Sequence, residues 1–228
     1  MRRSALLLGL GALAACGSRG RRHAATGPLG PPKRIVALGD SLAFGTGATH
    51  PENAFIFRSY LRVRERHPGS RIDNLAIPGS TARDVLRLQV PRLAHEIADA
   101  VIVCVGGNDV VRRVDAAAFA QTYTALVAGI RASQPHAALL CCGVPNVGLS
   151  PLFTGIDDAD ISELSRADDR AVATTARRAG ATFVDLFAAT VAHQGNRFLS
   201  DDRFHPSDAG YAVLAGVLTP PLLRALSR

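Results

Sequence analysis

The sequence predicts an α/β fold in which a five-stranded parallel sheet lies between two layers of helices. Five short apolar runs, rich in branched residues, have the length of buried strands. Helical patterns separate these runs, and this alternation requires right-handed crossovers and a parallel sheet with helices on both faces. Sites in such sheets lie at the carboxyl ends of the strands, so the residues after each strand are the first candidates for function.

The expected elements follow one another in regular order from residue 34. The strands are expected at residues 34–40, 71–77, 100–107, 138–145 and 181–187. The helices are expected at residues 53–67, 81–98, 115–133, 159–179 and 207–227. Ser207 or Asp208 can cap the last helix. Because proline lacks the N–H that a helix interior needs, we expect an interruption at Pro91 in the second helix and at Pro220 and Pro221 in the last.

The segment before the first strand has a different composition. Two arginines precede an apolar stretch that is too short to cross a bilayer, a pattern typical of a signal peptide over residues 1–15. Residues 16–33 are rich in Gly, Pro and Arg and predict a flexible basic linker. The folded domain is then expected over residues 34–228, and we expect no stretch after residue 16 to be apolar enough to span a membrane.

The stretch Leu13-Ala14-Ala15-Cys16 resembles the lipobox of bacterial lipoproteins. The resemblance implies cleavage before Cys16, acylation of its sulfur and of the new amino terminus, and a membrane anchor facing the periplasm or the cell exterior. Linker arginines near an anionic bilayer would add about 1 kcal/mol of attraction each. The alternative is an ordinary secretory signal with a chance cysteine, which predicts a plain secreted protein.

The net charge of +7 suggests a nucleic-acid partner, but the charges are unevenly distributed. Seven of the 26 lysines and arginines lie before residue 35 and none of the 19 acidic residues does, so residues 35–228 carry 19 of each sign. A neutral domain does not predict the basic groove that binds a phosphate backbone, and nucleic acid is therefore not an expected partner.

Polar residues and glycines follow the first three expected strands. Ser41 follows the first strand, Gly79 lies in the turn after the second, and Asn108 lies in a glycine turn after the third. A serine at a strand-to-helix junction has its N–H near a helix start, where developing negative charge is favoured. Taken singly, each has an ordinary structural explanation, since Ser41 can cap a helix and Gly79 and Asn108 can form turns.

Together these positions resemble the SGNH hydrolases, the GDSL esterase and lipase superfamily. Four blocks carry the resemblance, which extends from Ile35 to about Leu218: "GDSL" at 39–42, "PGST" at 78–81, "GGND" at 106–109 and "DRFHP" at 202–206. It implies the flavodoxin-like three-layer fold of that superfamily and a serine esterase that needs no cofactor. Ala76 departs from the pattern, because many members have a glycine there, and this affects the turn before Gly79 rather than the serine.

A nucleophilic serine requires a base and an acid that orients this base, and the sequence offers a histidine and an aspartate for these roles. An alcohol is a poor nucleophile near its free pKa, so Ser41 needs a neutral imidazole to take its proton, and His205 is the candidate base. A carboxylate three residues earlier can fold back to fix the imidazole tautomer. The family spacing assigns this role to Asp202 rather than Asp201. Pro206 biases His205 away from the helical conformation and so presents the ring before the last helix.

The tetrahedral intermediate of ester hydrolysis also needs donors for its oxyanion. By the same resemblance, these are the N–H groups of Ser41 and Gly79 and the side-chain amide of Asn108. Asp40 and Asp109 are expected to shape their turns rather than transfer protons. No metal site is expected from the sequence. Four histidines lack a partnered block: His50, His95, His136 and His193.

The sequence thus predicts an exported, lipid-anchored serine esterase that acts on a small-molecule or lipid ester through an acyl-enzyme at Ser41. The connection at residues 146–164 carries Leu149, Leu152, Phe153 and Ile156, which favour a hydrophobic acyl group of the carboxylesterase or lysophospholipase type. A carbohydrate O-acetyl esterase and a thioesterase remain alternatives within the fold. A non-catalytic surface binding lipoprotein is the alternative from a different class. Three cysteines in the strands are expected to be free, buried thiols: Cys104, Cys141 and Cys142.

Overall fold

Five parallel strands form the central layer of the protein. The computed structural model describes residues 29–153, 155, 158–193 and 197–227. The strands are β1 (Arg34–Gly39), β2 (Arg71–Asn74), β3 (Ala100–Cys104), β4 (Ala138–Cys142) and β5 (Thr182–Val184). They pair side by side in the order β2-β1-β3-β4-β5, and every pairing is parallel. The predicted five-stranded parallel sheet is confirmed. The predicted signal peptide and Cys16 lie outside the described residues.

The helices of the described part of the chain connect and cover these strands. They are α1 (Ser41–Phe44), α2 (Phe55–Arg66), α3 (Ala82–Asp84), α4 (Val90–Leu93), α5 (Gly107–Val111), α6 (Ala116–Ser133), α7 (Asp158–Arg178), α8 (Leu186–Ala192) and α9 (Asp208–Leu226). A π-helical segment, Val85–Gln89, joins α3 to α4. Helices were predicted where α2, the α3–α4 stretch, α6, α7 and α9 lie. The short helices α1, α5 and α8 were not predicted, because so few residues establish no helical period.

The alternation of side chains along the strands gives the sheet two apolar faces. On one face, Val36 and Leu38 of β1 pack against α3, α4, α6 and α7. On the other face, Ile35 and Ala37 pack against α2, α8 and α9. The protein is therefore a three-layer α/β/α sandwich, as the sequence predicts. The three strand cysteines are buried and unpaired, also as expected: Cys104, Cys141 and Cys142.

The strands are shorter than the apolar runs that predicted them. Each run continues for one to three residues beyond the observed strand. Some of the extra residues are apolar because they are buried after the strand ends, as Val105 and Val144 are. At the edge of the sheet, β2 has only β1 as a neighbour, and its residues are half-buried or exposed rather than buried.

Neither proline site splits its helix. Pro91 lies in the first turn of α4, directly after the π-helical segment, and the chain is helical without a break from Ala82 to Leu93. Pro220 and Pro221 do not interrupt α9, which continues through both to Leu226. The expectation of an interruption was wrong at both sites. Burial of Leu218 and Leu222 on either side of the prolines offsets the hydrogen bonds that the prolines cannot donate.

Helix α9 is long and apolar enough to cross a bilayer by length and composition, contrary to the expectation for the chain after residue 16. Its apolar side chains are nevertheless those of a core helix. Tyr211, Leu214 and Leu218 are fully buried in the layer that α9 shares with α2. The stacked rings of Phe55 and Tyr211 join the two helices, with centroids 6.1 Å apart. The composition of α9 therefore reflects its place in the core.

The last residues of the predicted linker contact the domain. The N–H of Gly30 donates to the carbonyl of Arg66 at 2.8 Å, and the N–H of Lys33 donates to Ser70 Oγ at 2.9 Å. The ring nitrogen Nδ1 of His67 lies 2.9 Å from the carbonyl oxygen of Pro31. These residues before β1 therefore pack against the end of α2 and the loop between α2 and β2.

Candidate active site

The predicted nucleophile Ser41 is the first residue of α1, directly after β1. Gly39, the last residue of β1, adopts a φ of +148°, and a Cβ at this position would collide with the carbonyl oxygen of Cys104. The chain can therefore turn this close to β3 only at a glycine. Asp40 caps α1 by accepting a hydrogen bond from the N–H of Leu42 at 2.9 Å. The sharp turn leaves Ser41 9% exposed, at the wall of a cavity.

Ser41, His205 and Asp202 form one hydrogen-bonded chain. Ser41 Oγ lies 2.8 Å from His205 Nε2, and His205 Nδ1 lies 2.6 Å from Asp202 Oδ2. Since an ionised carboxylate only accepts hydrogen bonds, Nδ1 carries the proton and donates it to Asp202. Nε2 is then the free acceptor, and the serine hydroxyl donates to it. The three residues that the sequence assigned to one site are therefore in contact.

The carboxylate of Asp202 is held by its own loop. Its second oxygen accepts hydrogen bonds of 2.9 Å each from Ser200 Oγ and from the N–H groups of Phe204 and His205. Burial opposes ionisation, but these bonds and the one from the His205 ring outweigh it and hold the pKa of Asp202 well below its usual range. Asp202 is therefore anionic whenever the protein is folded near neutral pH.

The start of α9 fixes the loop that carries His205. Ser207 caps the helix by accepting from the N–H of Gly210 at 3.2 Å, which confirms one of the two expected caps. Asp208 instead reaches the segment after α1, where it accepts from the N–H and hydroxyl of Thr49 at 2.9 and 2.6 Å and from Asn53 Nδ2 at 2.9 Å. This contact joins the His205 loop to the segment that follows Ser41.

The two remaining residues of the predicted oxyanion hole lie after neighbouring strands, Gly79 in the loop between β2 and α3 and Asn108 in the first turn of α5. Asn108 lines the same cavity as Ser41, and its Nδ2 donates one hydrogen bond of 3.1 Å to the carbonyl of Ser80. Gly79 has a φ of +83° and is exposed. It is not among the described residues that line the cavity. Its carbonyl accepts from the Arg112 guanidinium at 2.9 Å, so the turn is held from the side of α5.

Asp40 and Asp109 are both bound to backbone groups at helix starts, as expected of residues that shape turns. Asp109 accepts from the N–H of Ala82, with its nearer oxygen at 3.0 Å, and so connects α5 to the start of α3. Burial raises the pKa of Asp109 to about 6 despite this bond. Burial also raises the pKa of Asp40 to about 7, and the nearby charge of Asp109 adds to the effect.

Ser41 and His205 open into a cavity of about 780 Å³. Much of its lining is apolar and comes from the ends of β1 and β4 and from the loop before His205: Leu42, Val147, Leu149, Phe198, Leu199 and Phe204. Leu149 was predicted to line the site. Leu152 and Phe153 were predicted with it but are not among the lining residues. Phe153 packs edge-on against Phe204, with ring centroids 6.4 Å apart, and Leu152 is exposed. Ile156 lies outside the described residues.

Several lining residues were not assigned a place in the site by the sequence, among them the polar residues Asn146, His193 and Arg203. His193 is bound through Nδ1 to the carbonyl of Ala189 at 3.0 Å, within the last turn of α8. Asn146 caps the turn after β4 by accepting from the N–H of Gly148 at 3.2 Å. Spacing could not reveal them, because Asn146 and His193 belong to no block and Arg203 occupies an unassigned position of the 202–206 block. Within the described ranges, no three His, Cys, Asp or Glu side chains are grouped as a metal ion would require.

A hydroxyl, an imidazole and a carboxylate in this order can act as nucleophile, general base and orienting anion. The imidazole is in the tautomer that accepts a proton from the hydroxyl, and the carboxylate is ionised to stabilise the resulting imidazolium. The arrangement opens into a cavity rather than being enclosed in the core. Its geometry is suited to attack on an acyl group that enters the cavity.

Comparison with known sequences gives one match. A profile of the GDSL-like lipase/acylhydrolase family matches residues 37–213, which include all four sequence blocks. No curated protein sequence matches the chain.

Comparison with solved structures gives similar folds over nearly whole chains. The crystal structure of TesA has a TM-score of 0.69 at 22% identity, over 85% of this chain and 99% of that chain. The psychrotrophic esterase EstA from a Pseudoalteromonas species has a TM-score of 0.66 at 18% identity, over 86% and 100%. A mutant of Axe2 from Geobacillus stearothermophilus, described as an acetyl-xylooligosaccharide esterase, has a TM-score of 0.66 at 21% identity, over 88% and 96%. At these identities, the likeness establishes a shared fold.

Proposed function

The chain belongs to the GDSL-like lipase/acylhydrolase family, and on this basis we propose that it hydrolyses acyl esters through a covalent acyl-enzyme at Ser41. The family places the protein among ester hydrolases. One observation carries the proposal further: Ser41 Oγ lies 2.8 Å from His205 Nε2, with Asp202 behind the ring at 2.6 Å. This is the contact that a serine nucleophile requires of its base.

The first half-reaction forms the acyl-enzyme. His205 Nε2 takes the hydroxyl proton as Ser41 Oγ attacks the carbonyl carbon of the ester, and Asp202 stabilises the imidazolium that forms. When the tetrahedral intermediate collapses, the bond to the alcohol oxygen breaks, and His205 delivers the proton to that oxygen. The alcohol leaves, and the acyl group remains on Ser41.

The second half-reaction restores the enzyme. His205 takes a proton from a water molecule, which attacks the acyl carbonyl, and then returns the proton to Ser41 Oγ as the acid leaves. The net change is the addition of one water across the ester bond. No redox partner or cofactor takes part in these steps.

The oxyanion of both intermediates is proposed to accept from the N–H groups of Ser41 and Gly79 and from the amide of Asn108. A well-placed donor of this kind contributes about 3 to 4 kcal/mol to the transition state. Asn108 Nδ2 has two hydrogens, and the carbonyl of Ser80 occupies one of them at 3.1 Å, which leaves the other for the oxyanion. The bond to Ser80 also fixes the plane of the amide, so little reorganisation is needed.

The proposed substrate is an ester with a hydrophobic acyl group, as in carboxylesterases and lysophospholipases. Six apolar residues in the cavity lining support this choice, because a pocket for acetate alone would not need them. The acetyl-xylooligosaccharide esterase among the similar structures supports the alternative, a carbohydrate O-acetyl esterase on the same fold. The two are distinguished by the dependence of kcat/KM on acyl length.

We predict that Ser41→Ala abolishes ester hydrolysis while leaving the fold intact. The wild-type protein should hydrolyse a series of p-nitrophenyl esters with kcat/KM rising from acetate to octanoate. The variant should reduce all of these rates by at least about 10³-fold, because no other hydroxyl of the described residues is hydrogen-bonded to the His205 ring.

Covalent labelling by a fluorophosphonate provides the second measurement. Labelling should occur in the wild type and disappear in Ser41→Ala, with circular dichroism as the control for folding. A folded variant that hydrolyses the esters at the wild-type rate would refute the proposal. A wild-type protein that is active on acetate alone would favour the O-acetyl esterase instead.

For the amino-terminal segment, we propose cleavage before Cys16, acylation of this cysteine, and anchoring of the domain at a membrane outside the cytoplasm. The support is the sequence pattern at residues 1–16 alone. Two or more acyl chains give stable anchoring where one gives marginal binding. The basic linker would then let the domain reach esters close to the surface. A plain secreted enzyme is the alternative.

A further inference from the structure

One arginine of the cavity has a backbone conformation that normally belongs to glycine. Arg203 has a φ of +62°, in the left-handed region, and among the described non-glycine residues only Arg113 shares this feature. A side chain makes this conformation unfavourable, because its Cβ crowds the backbone. The strain at Arg203 is therefore a cost that a glycine would not carry.

The backbone of Arg203 does not explain why the side chain is present. Its N–H donates to the carbonyl of Ser200 at 2.9 Å, and its carbonyl accepts from Ser150 Oγ at 2.8 Å. Both bonds use main-chain atoms of residue 203, so glycine would make them equally well and without strain. Strained residues that persist at a site are often kept for what their side chains do there.

The charge of Arg203 is not used by its neighbours. The residue is exposed, and its guanidinium takes part in no ion pair or hydrogen bond with the described residues. The carboxylate of Asp202 is occupied by Ser200, by two backbone N–H groups and by the ring of His205. Arg203 is also the only lysine or arginine among the described residues that line the cavity.

We propose that Arg203 determines specificity by binding an anionic group, a phosphate or a carboxylate, on the alcohol part of the ester. This inference rests on the proposed ester hydrolysis. A guanidinium presents donors in a planar fork that matches either anion. Because His205 Nε2 must protonate the leaving alcohol oxygen, the alcohol departs on the side of the His205 loop. Arg203 lies two residues before His205 on that loop, so a charged group on the alcohol meets it there.

The test compares neutral and anionic esters with the same acyl chain. The neutral probe is p-nitrophenyl octanoate, and the alcohol-side anion is its analogue with a carboxylate on the nitrophenyl ring. A p-nitrophenyl monoester of a dicarboxylic acid places the anion on the acyl side. For Arg203→Gly, we expect the ratio of kcat/KM for the ring-carboxylate ester to that for the neutral ester to fall by about tenfold, mainly through KM. Arg203→Lys should recover part of the ratio, since it keeps the charge but loses the fork.

Thermal stability separates this role from a structural one. Removing the strain should raise the melting temperature of Arg203→Gly by about two to four degrees, whereas loss of a structural side chain would lower it. Arg113→Gly is the matched control, because Arg113 has a φ of +53° but does not line the cavity, and it should leave the ester ratio unchanged.

Each result decides a separate point. Hydrolysis of neither ester by the wild type would refute the proposed function, and the inference with it. Hydrolysis of the neutral ester with an unchanged ratio in Arg203→Gly would refute the inference and leave the function standing. A ratio that falls for the acyl-side anion instead would overturn the assignment to the alcohol part. A lower melting temperature with an unchanged ratio would make Arg203 structural.

Discussion

The adjacent acids Asp201 and Asp202 differ in their contacts with His205. Asp202 accepts from the His205 ring at 2.6 Å, while Asp201 is exposed and has no hydrogen bond to His205 among the described residues. Family spacing predicted Asp202 as the orienting acid, and Asp202 is the one of the two that contacts the ring. The side-chain and backbone donors that hold its second oxygen were not predictable, because they depend on the fold of the loop rather than on residue type.

We predict that Asp202→Asn lowers kcat by about 10³- to 10⁴-fold. The asparagine cannot hold Nδ1–H as an anion does, and its own N–H group favours the opposite tautomer, in which Nε2 is protonated and cannot accept from Ser41. Asp201→Asn is the matched control and should change kcat by less than about twofold. The measurement is steady-state hydrolysis of a neutral ester by both variants. A larger loss for Asp201→Asn would transfer the orienting role to that residue.

Arg203 shows where prediction from sequence stops at the scale of one residue. Arg203 lies within the Asp-x-x-His block, and the resemblance assigns no role to the position after Asp202. The left-handed φ that makes the arginine notable is a property of the folded loop. Residue type alone therefore could not separate it from any other exposed arginine.

At the scale of elements, the π-helical segment supplies a contact that no motif predicts. Gln89 is fully buried, and its side-chain amide pairs with Gly39, donating to the carbonyl and accepting from the N–H at 2.8 Å each. The side chain thus behaves as one more residue of a neighbouring strand at the point where β1 turns toward Ser41. Fifty positions separate the two residues, so no local pattern joins them.

Helix α7 carries a buried acid without a partner. Asp168 is fully buried, and neither carboxylate oxygen has a hydrogen-bond partner among the described residues. Burial, together with the charges of Asp109 and Asp115, raises its pKa to about 8 from the ordinary value of 3.8. The folded state therefore keeps a proton that the unfolded chain releases above about pH 4. The contribution of this group to the free energy of unfolding is therefore fully present below about pH 4. It is lost progressively as the pH rises toward 8.

We predict that Asp168→Asn stabilises the protein at neutral pH by on the order of 3 kcal/mol. The amide has nearly the shape of the protonated acid but cannot ionise in the unfolded chain. Urea unfolding at about pH 5 and about pH 8 should show a gain over the wild type that grows with pH. Asp160→Asn, on the exposed side of the same helix, is the control and should give no such trend. An equal or smaller stability for Asp168→Asn at both pH values would contradict the prediction.

The elements themselves were largely predictable from the sequence. The strands and the five long helical stretches were found because apolar periodicity extends over enough residues to be recognised. The strand ends were not, because buried loop residues are as apolar as strand residues. The continuity of α9 through Pro220 and Pro221 also escaped prediction, since packing against α2 outweighs the local preference.

At the scale of the whole molecule, charge divides the chain into a basic leader and a neutral domain. We predict that Cys16→Ser releases the protein from the membrane fraction, because its acyl chains are the proposed anchor. Fractionation of cells that produce the protein, with mass spectrometry of the mature amino terminus, is the measurement. Ser18→Ala, two residues away, should remain in the membrane fraction. Wild-type protein recovered from the soluble exported fraction with an unmodified Cys16 would leave the secreted alternative in place.

The contact between Ser41 and His205 joins positions 164 residues apart, and this separation determines when activity can arise during synthesis. At about 5 to 20 residues per second, the ribosome needs roughly 10 to 30 seconds to pass from one to the other. The His205 loop also requires the hydrogen bond between Asp208 and the N–H of Thr49 and the packing of α9 against α2. By the proposed mechanism, we therefore expect a nascent chain to be inactive toward esters until the last helix completes the fold.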